Sequence, residues 1–277
     1  MLSNIRNGCF SSSEIVSLLS MGSRTMTDEE QAEYKKANPK STKKTIECWP
    51  GKAAITYINQ CNMERRLGRS LDGELEARPT GWGRFVEKLL FSMLEEEYTY
   101  NSSETLVHPE YDCWVGTPDG YKKVKNKTVV DAKCPYTMES FCKLVAPLYN
   151  GFEGMEAMNA LRNGYTDKTG LFQSPHADAE KYYTQLVSNA CIDNCTHAEL
   201  IIYCPYESEL QAIQSAAVQS GDPSVYFIAN ASKNALPYIK DDGLYQNINI
   251  YSFEVPVEDK NLLTETVKKA SQYLIII

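Results

Sequence analysis

The clearest pattern in the chain is a helical repeat of apolar positions in the segment "GWGRFVEKLLFSMLEEE", residues 81–97. The apolar residues of this repeat are Trp82, Phe85, Val86, Leu89, Leu90 and Met93. Because residues three and four apart share one face of an α-helix, the pattern predicts an amphipathic helix over 81–97.

Similar patterns predict further helices. One covers 52–68 and ends at a glycine, one covers 177–193, and one covers 258–274 near the end of the chain. The segment "SSSEIVSLLS", 11–20, is typical of a capped helix start, with Ser11 or Ser12 ahead of Glu14. The lysine-rich stretch 27–44 predicts an exposed helix end and loop, with contacts to phosphate as the alternative.

Short extended segments lie between the two central helices. They are predicted at 105–111, at 113–124 (interrupted by Gly-Thr-Pro) and at 128–133, with a hairpin turn at 125–127. A buried strand is expected at 198–206 and another strand at 245–257, whereas 138–175 shows no clear pattern and 207–243 is expected to be loop and helix. The central order is therefore helix, three strands, helix, strand, which indicates an α/β (α+β) fold.

Composition sets loose limits on function. The chain has 277 residues, 43% of them hydrophobic, and a net charge of −8, which is weak evidence against binding to nucleic acid. No apolar run approaches the ~20 residues that span a bilayer, and the start of the chain lacks the features of a signal peptide. Nine cysteines, an odd number, favour free thiols in a reducing cytoplasm over a disulfide scaffold.

The candidate chemistry lies in "GTPDGYKKVKNKTVVDAK", residues 116–133. If the turn is centred near residue 125, Asp119 lies opposite Asp131, with Cβ atoms only ~5 Å apart. Two carboxylates that close repel each other, and a divalent cation removes the conflict. Lys133 follows Asp131 by two residues and therefore points to the same face. Oxygen ligands alone favour Mg²⁺ or Mn²⁺ over zinc.

A structural reading of the same residues stays open: Asp119 and Gly120 form a plain turn, and Asp131 is a surface residue of a strand. The apolar neighbours of Asp131 argue against it, since "TVV" precedes this acid and a buried carboxylate is costly unless it is paired or bound to metal. A metal site of this kind suits phosphodiester hydrolysis, with the lysine next to the attacking water or the phosphate.

Five segments in order also carry a family resemblance: "FSSSEIVSLLS", "GWGRFVEKLLF", "HPEYDCWVGTPDG", "DAKCPYT" and "EKYYTQLVSNACI". Together they resemble the PD-(D/E)xK nuclease superfamily, and within it the branch of phage lambda exonuclease and the viral alkaline exonucleases. The resemblance covers roughly residues 10–205. It implies a restriction-endonuclease-like core of αβββαβ order, in which a central mixed sheet is flanked by helices.

The resemblance also implies roles for particular residues. The metal ligands would be Glu87, Asp119, Asp131 and the carbonyl of Ala132, with Lys133 as the catalytic lysine. The catalytic glutamine would be Gln185, although Val187 stands where the family has a second glutamine. Candidate substrate contacts are Thr117, Tyr182 and, for a 5′-phosphate, Ser12, Ser13, Arg65 and Arg66. For the two arginines a plain surface role is the alternative.

The resulting expectation is one nuclease domain over 1–277, with an N-terminal helical region (1–80), a catalytic core (81–206) and a C-terminal elaboration (207–277). The family implies a Mg²⁺-dependent exonuclease, with Mn²⁺ as a substitute, that acts on double-stranded DNA ends from the 5′ side. It also implies a single-strand annealing partner, a ring-like homo-oligomer and a cytoplasmic location. The alternatives are an endonuclease of the same superfamily and an inactive DNA-binding module.

Overall fold

A computed structural model of the protein describes residues 6–71, 77–101, 104–123 and 127–276. The helices in these ranges are α1 Asp28–Ala37, α2 Lys52–Leu67, α3 Arg78–Met93, α4 Met138–Tyr149, α5 Gly154–Asn163, α6 Ala179–Ile192, α7 Leu210–Ser220, α8 Tyr226–Ala229 and α9 Val257–Ser271. The strands are β1 Phe10–Ser11, β2 Gly22–Thr25, β3 Thr45–Cys48, β4 Tyr98–Tyr100, β5 Leu106–Val107, β6 Trp114–Gly116, β7 Gly120–Lys123, β8 Lys127–Lys133, β9 Tyr165–Thr166, β10 Phe172–Gln173, β11 His197–Tyr203 and β12 Ile248–Glu254.

A five-stranded mixed sheet forms the centre, in the order β12-β11-β8-β7-β4. The β8 and β11 strands pair in parallel, while the other neighbours in this sheet pair antiparallel. The central position of β8 and β11 explains their nearly continuous apolar sequences, since such strands are buried on both faces. The predicted α/β fold with a central mixed sheet is confirmed.

Two apolar clusters cover the two faces of this sheet. Alternate residues of β11 belong to different clusters: Leu200 and Ile202 pack into one, and Ile201 and Tyr203 pack into the other. This division follows from the two-residue period of a strand. Helices α4, α5, α6 and α9 contribute to the first cluster, whereas α3, α7 and α8 contribute to the second.

The β7–β8 register agrees with the sequence analysis. Gly120 pairs with Val130 and Lys123 pairs with Lys127, so paired residue numbers add to 250 as predicted. Of the predicted turn at 125–127, residues 125 and 126 lie outside the described residues. Continuing this register by one residue places Asp119 opposite Asp131.

Some predicted boundaries are wrong. The helix expected over 81–97 ends at Met93, and Tyr98–Tyr100 forms the edge strand β4. Three consecutive glutamates at 95–97 disfavour extension of the helix beyond Met93, because negative charge is unfavourable at a helix C-terminus. The strand expected at 105–111 is only Leu106–Val107 and belongs to a small separate sheet, β1-β6-β5. The αβββαβ order is present as α3, β4, β7, β8, α6 and β11.

Two other segments also differ from expectation. The stretch 138–175 contains helices α4 and α5, which the sequence analysis missed because Pro147 lies within α4 and Gly154 begins α5. Tertiary packing stabilises both helices, since each buries several apolar side chains. The predicted capped helix at 11–20 is instead strand β1 followed by a 3₁₀ helix, Ile15–Leu19, without a capping side chain.

Candidate active site

The loop that carries Asp119 is closely packed. Gly116 lies against Asn189 and Ser12, and a Cβ atom added to it would come closer than 3.0 Å to both side chains. A Cβ atom added to Gly120 would likewise come closer than 3.0 Å to the ring of Phe91. The φ angle of neither glycine is positive. The "GTPDG" sequence therefore has glycines on both sides of Asp119 because the close packing leaves no room for a side chain at either position. An unusual backbone conformation is not the reason.

Asp131 lies at the centre of the site with no exposed surface. Its Oδ1 accepts a hydrogen bond of 2.6 Å from Gln185 Nε2, and its Oδ2 lies 2.5 Å from Lys133 Nζ. The Oδ2 atom accepts no hydrogen bond of acceptable geometry within the described residues, so the contact with Lys133 is chiefly an ion pair. Asp131 is thus a buried carboxylate held between an amide and an ammonium group.

Asp119 lies immediately before β7 and approaches the same strand, β8. Its Oδ2 accepts a hydrogen bond of 2.8 Å from the backbone N–H of Ala132. Burial raises the pKa of the Asp119 carboxyl well above its usual value, and the negative charge of Asp131 raises it further. The pair shows the conflict between neighbouring carboxylates that the sequence analysis expected.

Glu87 brings a third carboxylate from helix α3. Burial raises the pKa of Glu87 to about 7, and the charge of Asp131 adds to this effect. The positive charge of Lys133 and, to a smaller extent, a hydrogen bond with Tyr100 on the edge strand β4 partly oppose this rise in the pKa. Since the Asp131 charge acts on both other carboxyls, the structure brings Glu87, Asp119 and Asp131 into one electrostatic cluster.

Lys133 supplies positive charge to this cluster. Burial lowers the pKa of its ammonium group, but the charges of Asp131 and Asp119 outweigh burial, and the pKa ends above its usual value. The Nζ atom lies 5.0 Å from the centre of the Tyr182 ring, which covers it from α6. The side chain keeps 22% of its surface exposed and lines the cleft described next.

Of these groups, Glu87 and Lys133 line a cleft of about 220 Å³, which we call the acidic cleft. Its walls include Gly83, Arg84, Glu87, Lys133, Ser140 and Tyr182. Helix α3 forms one wall and α6 another, with the end of β8 between them. Glu87 is therefore the carboxylate of the cluster that faces this cleft.

The donor set of the cluster fits a hard divalent cation. Three carboxylates and the backbone carbonyl of Ala132 offer oxygen atoms alone, and Lys133 balances only one of the three acids. Within the described residues, no three His, Cys, Asp or Glu side chains are already arranged around one point as ligands. In the structure Lys133, Gln185 and the Ala132 N–H contact the aspartate oxygens.

The predicted serine and threonine contacts lie in two places. Ser12 is buried, and its Oγ lies 2.7 Å from Ser188 Oγ on α6, one helical turn beyond Gln185. Ser13 Oγ lies 3.2 Å from the hydroxyl of Ser11. Thr117, two residues before Asp119, has its Oγ1 2.9 Å from Thr105 Oγ1. A role for these hydroxyls in binding substrate stays a prediction.

The two predicted arginines lie at the end of α2. Arg65 donates hydrogen bonds to the carbonyls of Gly8 (2.7 Å) and Ile275 (2.9 Å), so it joins two segments near the ends of the chain. Arg66 is exposed. None of the contacts described for either arginine reaches the acidic cleft, and their role at a 5′-phosphate stays a prediction.

Two residues at the cleft were missed in the sequence analysis. Arg84 precedes Glu87 by three residues, and this spacing on a helix places both side chains on one face, so the pattern contained the information. Tyr100 had no such signal. Its position next to Glu87 depends on the pairing of β4 with β7, which the sequence analysis did not predict.

The five-stranded sheet with its opposed aspartates and nearby lysine defines a PD-(D/E)xK-type α/β fold. Solved structures of exonucleases share this fold. The structure of LHK-Exo, an alkaline exonuclease from Laribacter hongkongensis, in complex with dAMP aligns with a TM-score of 0.52 at 10% identity, covering 98% of this chain and 90% of that chain. A phage-related exonuclease from Haemophilus somnus 129PT aligns with a TM-score of 0.50 at 14% identity, covering 96% and 92%.

These similarities confirm the predicted resemblance at the level of the fold. No protein-family model matches the chain, and no curated protein matches it by sequence. Along the described ranges, the helices lack the combination of length and hydrophobicity that is needed to cross a membrane.

Proposed function

We propose that this protein is a DNA exonuclease that hydrolyses phosphodiester bonds from the ends of double-stranded DNA. The observation that carries the proposal is the cluster of Glu87, Asp119, Asp131 and Lys133 at one cleft. Its position on a fold shared with alkaline and phage-related exonucleases supports this function.

In this proposal Mg²⁺, or Mn²⁺ in its place, is held by Glu87, Asp119, Asp131 and the Ala132 carbonyl. Such a cation lowers the pKa of water and polarises a phosphate oxygen when it is bound. The choice of metal rests on the ligands, because oxygen donors alone favour hard cations.

The other residues position groups and balance charge. The Lys133 side chain lines the cleft, and its ammonium group can donate hydrogen bonds to the attacking water or to the phosphate on which charge develops. Gln185 fixes one oxygen of Asp131 through its amide hydrogen bond, which limits the orientations of the carboxylate. The Tyr182 ring lies next to the Lys133 ammonium group, where it can form a cation–π interaction.

The finer parts of the proposal follow from the family resemblance. They are degradation of one strand in the 5′-to-3′ direction, production of single-stranded tails for phage-type recombination, and cooperation with a single-strand annealing protein. A ring-like homo-oligomer and a location in the host cytoplasm belong to the same set. Each is a property that can be measured separately from hydrolysis.

The direct test compares a 5′-phosphorylated linear duplex with a covalently closed circular duplex, in Mg²⁺ and in EDTA. We expect Mg²⁺-dependent loss of the linear DNA alone, and loss at least about 100 times slower with the Lys133→Ala variant. Cutting of the circle would instead establish an endonuclease. Binding of DNA without cutting of either substrate would point to an inactive module.

A further inference from the structure

A second depression, larger than the acidic cleft, runs along the first half of helix α3. It has a volume of about 660 Å³ and lies between α3 and the segment 220–227. We call it the α3 groove, and its chemistry comes from Arg78, Arg84, Lys88, Phe85 and Phe227. Its size is within the range of about 300–1,000 Å³ that is usual for ligand sites.

The groove is positively charged within an acidic protein. Arg78, Arg84 and Lys88 are all exposed, and none of them forms an ion pair among the residues that the structure describes. Asp222 is the one carboxylate among the described lining residues, and its Oδ1 accepts a hydrogen bond from the Ser224 N–H. The start of α3 has no capping side chain and no acid in its first turn, so its dipole adds to the attraction for an anion.

Aromatic rings accompany these cations. Phe85 and Phe227 line the groove and are each partly exposed. The guanidinium of Arg78 lies 5.9 Å from the centre of the Phe227 ring. Alternating cations and accessible rings match a single strand of nucleic acid, which offers phosphates for the cations and unpaired bases for the rings.

The groove continues into the acidic cleft. Arg84 lines both depressions, so the two share a wall. Tyr136, three residues after Lys133, has its ring 6.3 Å from that of Phe227. Gly83 lines the cleft next to Arg84, and a Cβ atom added to it would have no neighbour within 4 Å. Open space and positive charge therefore connect Glu87 and Lys133 with the groove.

We infer that the α3 groove binds an unpaired stretch of DNA strand next to the phosphate that is cut. Arg78, Arg84 and Lys88 bind its phosphates, and Phe85 and Phe227 contact its bases. The inference rests on the proposed function, because it identifies the strand as part of the same DNA substrate. It assigns substrate binding to a helix face for which the sequence analysis predicted only Glu87 as a functional residue.

The test measures binding separately from hydrolysis. Fluorescence anisotropy follows the full-length protein binding to labelled oligo(dT) of about 12 nucleotides in EDTA, over a range of salt concentrations. The test variant is Arg78→Ala combined with Lys88→Ala. The control is Lys268→Ala combined with Lys269→Ala, which removes the same charge from exposed positions on α9. Phe227→Ala tests the aromatic contribution alone.

We expect the groove variant to weaken binding at least tenfold and to reduce the slope of log affinity against log salt by about 1.4, that is ~0.7 for each cation removed. The α9 control should stay close to wild type. Equal binding by both double variants, or no binding of oligo(dT) by the wild type, would overturn the inference. If the groove variant loses binding but the wild type cuts no DNA, the result would support DNA binding by the α3 groove and refute the proposed nuclease function.

Discussion

Lys133 Nζ lies 2.5 Å from Oδ2 of Asp131. Asp131 precedes Lys133 by two residues on the same strand and has no exposed surface. The two-residue period of β8 places the two side chains on one face, and α6 covers them with Gln185 and Tyr182. The aspartate is buried, whereas the lysine side chain is partly exposed and lines the acidic cleft.

Replacing Lys133 with alanine should lower the rate of DNA hydrolysis by about 10²–10³-fold or more, which is the range for losing one preorganised electrostatic contact. Lys127→Ala is the matched control, because Lys127 begins the same strand and pairs with Asp193 on the surface. Initial rates on a linear duplex provide the measurement, and circular dichroism checks that both variants fold. Equal rates for the two variants would remove Lys133 from the mechanism.

Mg²⁺ should stabilise the wild type against thermal unfolding. At a concentration 100 times the dissociation constant, the free energy of unfolding rises by about 2.7 kcal/mol if the ion binds only the folded state. Asp119→Asn should abolish this gain, since it removes a charged oxygen donor, whereas Asp242→Asn at an exposed site should retain it. Differential scanning fluorimetry with and without Mg²⁺ measures the effect without DNA. A full Mg²⁺ gain in Asp119→Asn would exclude Asp119 as a ligand.

Gln185→Ala should lower kcat by about tenfold with little change in KM. Alanine has no side-chain donor to replace the hydrogen bond from Gln185 to Asp131, and a bond of this kind contributes about 1–1.5 kcal/mol. Gln211→Ala, at an exposed position on α7, serves as the control. Steady-state kinetics on a linear duplex distinguish the effects. A rise in KM at constant kcat would show that Gln185 binds substrate and does not position Asp131.

Gly83→Ala should stabilise the fold by about 0.5–1 kcal/mol, because alanine is the better helix former and its Cβ meets nothing within 4 Å. The same substitution should weaken DNA cleavage, since it fills space in the acidic cleft. Denaturant unfolding and cleavage rates on the same sample provide the two measurements. A variant that is more stable and fully active would show that the space at Gly83 is not used by substrate.

Gly120→Ala should destabilise the fold, in contrast to Gly83→Ala. Its Cβ would come closer than 3.0 Å to the Phe91 ring and to the Thr99 carbonyl, so we expect a loss of about 1–3 kcal/mol in the free energy of unfolding. Activity should fall as well, because the neighbouring Asp119 would shift. Chemical denaturation followed by tryptophan fluorescence tests this, and unchanged stability would contradict the packing argument for the "GTPDG" sequence.

The sequence by itself determined the relation between Asp119, Asp131 and Lys133. Strand period and the symmetry of a hairpin are local rules, so the register with paired numbers adding to 250 could be predicted and is present. The amphipathic repeats of α3 and α6 are also local patterns, so these two helices could be predicted from the sequence. The family resemblance added Glu87 and Gln185, which lie on these two helices next to Asp131, and their roles stay predictions.

Only the tertiary structure decided which distant segments meet. Helices α4 and α5 contain proline or begin with glycine, and their stability comes from packing that no local pattern records. Tyr100 reaches Glu87 only because β4 becomes the edge strand of the sheet. The α3 groove likewise exists because segment 220–227 packs against α3, and such contacts depend on how apolar surfaces far apart in sequence are buried together.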